Sequence, residues 1–73
     1  MIEVGDLVRG KKTEGGMEYY SVTSSKSICE VKEIDDEDWI VVALVNNPDF
    51  VEYIGNEFEV QVSWMGKIYN KTE

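Results

Sequence analysis

Seven consecutive apolar residues at 39–45 limit the folds that this chain of 73 residues can adopt. The run reads Trp-Ile-Val-Val-Ala-Leu-Val, and its short length with several β-branched residues favours a strand over a helix. Acidic residues precede it and Asn-Asn-Pro-Asp follows it, which is typical of turns at both ends. We therefore predict that 39–45 is a strand at the centre of the fold.

Segments on either side of this run also have the composition of strands. The alternation of apolar and polar residues at 57–64 predicts a half-buried strand with Phe58, Val60 and Val62 facing inward. The alternation at 28–34 is imperfect, which indicates a bulge or a bend. The remaining strand candidates are 2–10, with a bend at Gly5, 17–22 and the fragment 67–69.

The segment 48–55 has two interpretations. Asn47 before Pro48, with Gly55 at the far end, is typical of a short helical turn. The pair Gly55-Asn56 would also suit a two-residue hairpin. We favour a loop that contains one helical turn, placed before the last long strand.

Short strands in so small a chain predict a strongly bent sheet that closes into a barrel. The opening Val-Gly-Asp-Leu-Val at 4–8 resembles the first strand of SH3-like barrels, where a Gly-Asp pair precedes a core valine. The later order of strand, acidic turn, apolar strand and alternating strand is similar to small barrels encoded by bacteriophages and prophages. We predict an all-β, five-stranded SH3-like barrel that forms a single domain over 1–73.

Both faces of the strand at 39–45 are apolar, whereas a strand of a small barrel normally exposes one face. Either the loop at 46–56 covers the second face with Phe50, Tyr53 and Ile54, or an exposed patch serves a homodimer or another partner. The sequence favours neither alternative over the other.

The net charge of −8 is unevenly distributed along the chain. Residues 30–59 hold ten acids and the single base Lys32, a net charge of −9. Such a field repels phosphate backbones and favours basic partners, although it would also serve solubility alone. The ten acids are Glu30, Glu33, Asp35, Asp36, Glu37, Asp38, Asp49, Glu52, Glu57 and Glu59.

The amino-acid composition argues against most catalytic and metal-binding chemistry. The chain has no histidine, and Cys29 is its single cysteine, so it has neither an internal disulfide nor the ligands for a zinc site. The acids at 35–38 lack the spacing of a calcium loop, and water should keep them ordinary carboxylates. Cys29 without an activating histidine is expected to be a buried structural thiol. We predict no metal, no cofactor and no enzymatic activity.

These observations favour a protein-binding module, such as a phage accessory protein or a DNA-mimic-like inhibitor of a host protein, with a basic surface on its partner. The alternative is a nucleic-acid-associated barrel that uses Arg9, Lys11 and Lys12. Because we find no signal peptide and no long apolar run, we expect a cytoplasmic protein that does not contact membranes. The predicted partner-binding residues are Asp35, Asp36, Glu37, Asp38, Trp39, Tyr53, Trp64 and Tyr69.

Overall fold

Residues 1–11 and 22–69 are described in the computed structural model of the chain. They form one antiparallel sheet of five strands in the order β4-β3-β2-β1-β5, with two 3₁₀ turns, η1 and η2. The all-β prediction is confirmed, whereas the strand predicted at 17–22 lies largely outside the described residues. The elements are β1 (Leu7–Gly10), β2 (Ile28–Ile34), β3 (Trp39–Asn46), η1 (Val51–Tyr53), β4 (Glu57–Gln61), η2 (Val62–Trp64) and β5 (Met65–Tyr69).

The strand β3 forms the centre of the core, as its apolar run predicts. It pairs with β2 on one side and with β4 on the other. Its inward residues Ile40, Val42 and Leu44 are buried, and burial of each such side chain contributes about 1.5–3 kcal/mol. The whole core cluster is Val8, Cys29, Val31, Ile40, Val42, Leu44, Val60 and Met65.

The strand β4 and the turn before it agree with the predicted pattern in part. Val60 is buried, and Phe58 and Val62 pack partly buried against the core, so the inward parity is confirmed. The predicted helical turn is η1. The predicted strand at 57–64 is wrong at its end, because the chain leaves β4 after Gln61 and forms η2 in order to reach β1.

The sheet bends strongly, because its two edge strands are joined by η2 alone. In a flat sheet β4 and β5 would lie four strand spacings apart, about 19 Å. The chain from Gln61 to Met65 could span at most about 14 Å when extended, and a 3₁₀ turn is shorter still. The register shifts within the β2–β3 and β1–β5 pairings are irregularities of the kind that let strands bend. No β4–β5 ladder occurs among the described residues, so closure of the barrel stays a prediction.

The Gly-Asp pair that opens the chain forms a turn before β1 and not a bend within it. Gly5 has φ 95°, a conformation that glycine adopts without strain. Asp6 is buried, accepts a hydrogen bond at 2.8 Å from the backbone N–H of Glu3, and lies 3.4 Å from Lys67 Nζ. The pair therefore connects the start of β1 to β5. No helix among the described residues is long and apolar enough to cross a bilayer.

Candidate interaction surface

The acidic turn Asp35–Asp38 connects β2 to β3 in a defined conformation. Asp36 Oδ1 accepts hydrogen bonds from the backbone N–H of Asp38, at 2.7 Å, and of Trp39, at 3.0 Å. The backbone N–H groups of Asp35 and Asp36 donate to the carbonyl of Trp39, at 3.0 and 3.3 Å. The four side chains of the turn are exposed. The turn therefore presents a fixed row of carboxylates to solvent.

The two tryptophans meet beside this turn. Trp39 begins β3 and Trp64 ends η2, and their rings contact edge to face with centroids 5.9 Å apart. Trp39 is half-buried, whereas Trp64 is 52% exposed. The backbone N–H of Val62 donates to the carbonyl of Asp38 at 2.8 Å, which fixes η2 against the acidic turn. The structure thus brings together the tryptophans and the acids that the sequence predicts as contact residues.

We call the depression between them the aromatic cleft. It has a volume of about 500 Å³ and an open mouth. Its carboxylates lie next to an aromatic pair, an arrangement that suits a cationic side chain, because ion pairing and cation–π attraction act on the same group. The cleft is lined by Glu37, Asp38, Trp39, Gln61, Val62 and Ser63.

Negative charge continues from the acidic turn onto the outer surface of β3 and β4. Val41 lies opposite Glu33 on one side and Glu59 on the other. A hydrogen bond with the Asp35 carboxyl group raises the pKa of Glu59, and desolvation and the charges of Asp35, Asp36 and Glu33 add to that rise. A cation that arrives here would relieve repulsion among carboxylates that are already in place.

Of the predicted anchors whose side chains the structure describes, Trp39 lines the aromatic cleft, Trp64 contacts Trp39, and Tyr53 lies elsewhere. Tyr53 lies in η1, 39% exposed, and its ring is 5.9 Å from that of Phe50. Tyr69 ends β5, and its side chain lies outside what the structure describes. Phe50 packs against the core cluster, which holds the inward face of β3, while Tyr53 and Ile54 stay exposed, so a lid over the other face of β3 stays a prediction. The homodimer through the apolar strand stays a prediction.

A second depression, which we call the glycine trough, lies where β1 pairs with β5. It has a volume of about 390 Å³, and Arg9 lies directly opposite Gly66 in the register. Sequence analysis singled out Arg9 and Lys11 but missed Gly66 and Lys67, because only the pairing of the first strand with the last brings them together. The trough is lined by Arg9, Gly10, Lys11, Gly66, Lys67 and Ile68.

Arg9 and Lys11 differ from the other bases in the described part of the chain, including Lys67, which lines the same trough but pairs with Asp6 at 3.4 Å. Lys26 and Lys32 each form a salt bridge, with Asp49 at 3.6 Å and Glu30 at 3.3 Å. Arg9 and Lys11 form none with the residues that the structure describes, so their charges are available to a ligand. Lys12, Tyr19 and Tyr20, which complete the predicted nucleic-acid patch, lie outside 1–11 and 22–69.

Cys29 is buried, as the sequence predicts. Burial raises the pKa of its thiol, and the hydrogen bond to Ser27 Oγ at 3.6 Å partly opposes that rise. A protonated, inaccessible thiol is a poor nucleophile and a poor metal ligand. Across 1–11 and 22–69, no three cysteine, aspartate or glutamate side chains group closely enough to hold a metal ion.

Comparisons with known proteins give no relative of this chain. No family model matches it, and neither a curated protein nor a solved structure matches it.

Proposed function

We propose that this chain is a non-enzymatic protein-binding module that engages a basic surface of its partner through the aromatic cleft and the acidic turn. The observation that carries the proposal is the contact of exposed Trp64 with Trp39 beside Glu37 and Asp38. Tryptophans in partly enclosed sites often dominate binding energy, and surrounding charges select the partner and accelerate encounter.

A finer proposal concerns the class of protein. We propose an SH3-like barrel that works in the cytoplasm as a phage accessory protein, with its acidic surface inhibiting a host protein that normally binds nucleic acid. The bent five-stranded sheet and the turn at Gly5 and Asp6 support the barrel. The net charge of −9 over 30–59 supports the mimicry of a nucleic acid.

Charge reversal in the acidic turn tests the proposal. Lysine replaces Asp35, Glu37 and Asp38, while Asp36 is kept because it caps the turn. Affinity for a captured partner should fall at least about ten-fold, and its dependence on salt should flatten. The matched control reverses three exposed acids outside the aromatic cleft, Glu3, Glu52 and Glu57, so that net charge is equal. Equal affinities for the two variants would refute the proposal.

A second candidate function is favoured by the glycine trough. A nucleic-acid-associated barrel would bind phosphate through Arg9 and Lys11, together with Lys12. For this candidate, replacing the three bases by alanine should abolish retention on DNA or RNA. Replacing Lys26 and Lys32 should leave retention unchanged, since acids already neutralise them. If the protein shows no retention before any substitution, this candidate is excluded.

A further inference from the structure

We infer that the aromatic cleft and the glycine trough form one docking surface, which takes a partner segment that carries a basic, an apolar and an acidic residue in line. The inference rests on the proposed function and specifies the chemistry of the partner. Neither the acids nor the bases alone would define such a ligand.

Trp64 lines neither depression itself, but it links residues of the two. Its ring contacts Trp39, which lines the aromatic cleft. Its backbone carbonyl accepts a hydrogen bond at 2.8 Å from the N–H of Lys11, which lines the glycine trough. Gly66, at the opposite wall of the trough, follows Trp64 by two positions. Trp64 therefore contacts one residue of each depression.

The residues at this link lie on the outer face of the sheet. Gly10 and Met65 are buried and pair with each other. Because successive residues of a strand point to opposite faces, the neighbours of Gly10 and Met65 face outward. Within the strands these neighbours are Arg9 and Gly66, while Lys11 directly after β1 and Trp64 directly before β5 are exposed. One extended ligand can therefore reach all four.

Gly66 gives the trough its depth. A Cβ at this position would lie 3.6 Å from Cγ of Lys11, at ordinary van der Waals distance. An alanine would therefore fit without strain, but it would occupy space that a ligand can use. The absence of a side chain lets a ligand approach the backbone of Gly66 beside the stem of Lys11.

The two depressions that Trp64 links carry opposite charges. Glu37 and Asp38 line the aromatic cleft, and Arg9 and Lys11 line the glycine trough. A polybasic peptide would be attracted to the aromatic cleft and repelled by the glycine trough. A nucleic acid would be repelled by the cleft and attracted to the trough. A segment with both charges satisfies both halves, while its apolar residue covers the exposed ring of Trp64. The charge pattern thus favours a protein segment over a nucleic acid.

NMR titration of the full ¹⁵N-labelled chain tests the inference. The probes are capped peptides in which one arginine and one glutamate flank a leucine, with alanine spacers of different lengths and in both chain directions. The best peptide should shift the indole N–H signals of Trp39 and Trp64 and the amide signal of Gly66. Replacing its glutamate by glutamine should weaken binding about three-fold at physiological salt.

Variants of the protein test whether the glycine trough causes the three-fold difference between the glutamate and glutamine peptides. With Arg9→Ala and Lys11→Ala combined, the glutamate and glutamine peptides should bind equally. Lys32→Ala, a base already paired with Glu30, should preserve the three-fold difference. Gly66→Ala should weaken the glutamate peptide without unfolding the protein.

Three results would overturn the inference. The glutamine peptide could bind as tightly as the glutamate peptide, no peptide could shift the Gly66 signal, or a deoxythymidine dodecamer could occupy the trough more tightly than any peptide. If peptides bind at the aromatic cleft alone and Glu37→Gln with Asp38→Asn abolishes that binding, the proposed module stands while the joint surface fails. If partner affinity is also insensitive to those two substitutions, both proposals fail.

Discussion

The carboxylates at the two ends of the sheet have opposite environments. At the β1–β5 end, Asp6 is 1% exposed, accepts a backbone hydrogen bond and pairs with Lys67. At the β3–β4 end, Asp35 and Glu59 are exposed and lie beside each other, so that one raises the pKa of the other. The first arrangement stabilises the fold, whereas the second adds repulsion to it.

This difference separates structural acids from available ones. A buried carboxylate with satisfied partners has no capacity left for a ligand, while crowded and exposed carboxylates gain when a cation arrives. The two ends therefore predict different responses to substitution. Substitution of Asp6 should reduce stability, and substitution of Asp35 or Glu59 should mainly alter binding.

The largest effect is expected from Gly10→Ala. A Cβ on Gly10 would collide with backbone atoms of Thr23 and Ser24, which cannot move as a flexible side chain can. The free energy of unfolding should fall by about 3 kcal/mol, measured by urea denaturation. Gly66→Ala, on the paired strand, should change it by less than about 1 kcal/mol. Equal losses would show that the two positions are packed alike.

Asp6→Ala should have the next largest effect. It removes the hydrogen bond from Glu3 and the ion pair with Lys67, and we expect a loss of about 2 kcal/mol in urea denaturation. Asp6→Asn can still accept from the N–H of Glu3, so its loss should be smaller. A loss below about 0.5 kcal/mol for the alanine variant would contradict a structural role for Asp6.

Asp36→Ala sharpens the comparison within the acidic end. It leaves the N–H groups of Asp38 and Trp39 without their side-chain acceptor, which should cost about 1 kcal/mol. Its neighbour Glu37 caps no backbone group among the described residues, and Glu37→Ala should cost less than about 0.5 kcal/mol. Thermal or urea unfolding of both variants measures the difference, and equal losses would argue against the capped turn.

The smallest effect is a dependence of stability on pH. The folded chain holds the proton of Glu59 above its ordinary pKa of 4.5, so between that value and the raised one the folded state binds more protons than the unfolded state. Stability relative to Glu59→Gln should therefore fall as pH rises through this window and stay constant above it. Urea denaturation over a pH series measures it. A difference that grows with pH would contradict the carboxyl contact.

The sequence predicted the elements whose signals are local. The apolar run at 39–45 is sufficient for β3, because it is short and rich in β-branched residues. Asn47 before Pro48, with Gly55 at the far end, favoured the turn at η1 but left a two-residue hairpin as an alternative. Trp39, Trp64 and the acids at 35–38 were predicted as contact residues from their types alone, without any indication that they would meet.

Other features depend on pairings between distant residues, which no local pattern reveals. The strand β4 ends at Gln61 because the chain must cross to β1 there. The alternation of apolar and polar residues continues to position 64 and therefore predicts a longer strand. The glycine trough requires Arg9 opposite Gly66, and the structural role of Asp6 requires Lys67. Each joins the first strand to the last, so the sheet order had to be known first.

The most direct test of the central claim is affinity capture from a bacterial lysate with the tagged protein, with and without nuclease and with washes of low and high salt. A partner protein should survive nuclease treatment and be released by high salt, because carboxylates at the aromatic cleft hold its basic surface. Recovery that disappears with nuclease would contradict the account and favour the bases of the glycine trough as the binding site.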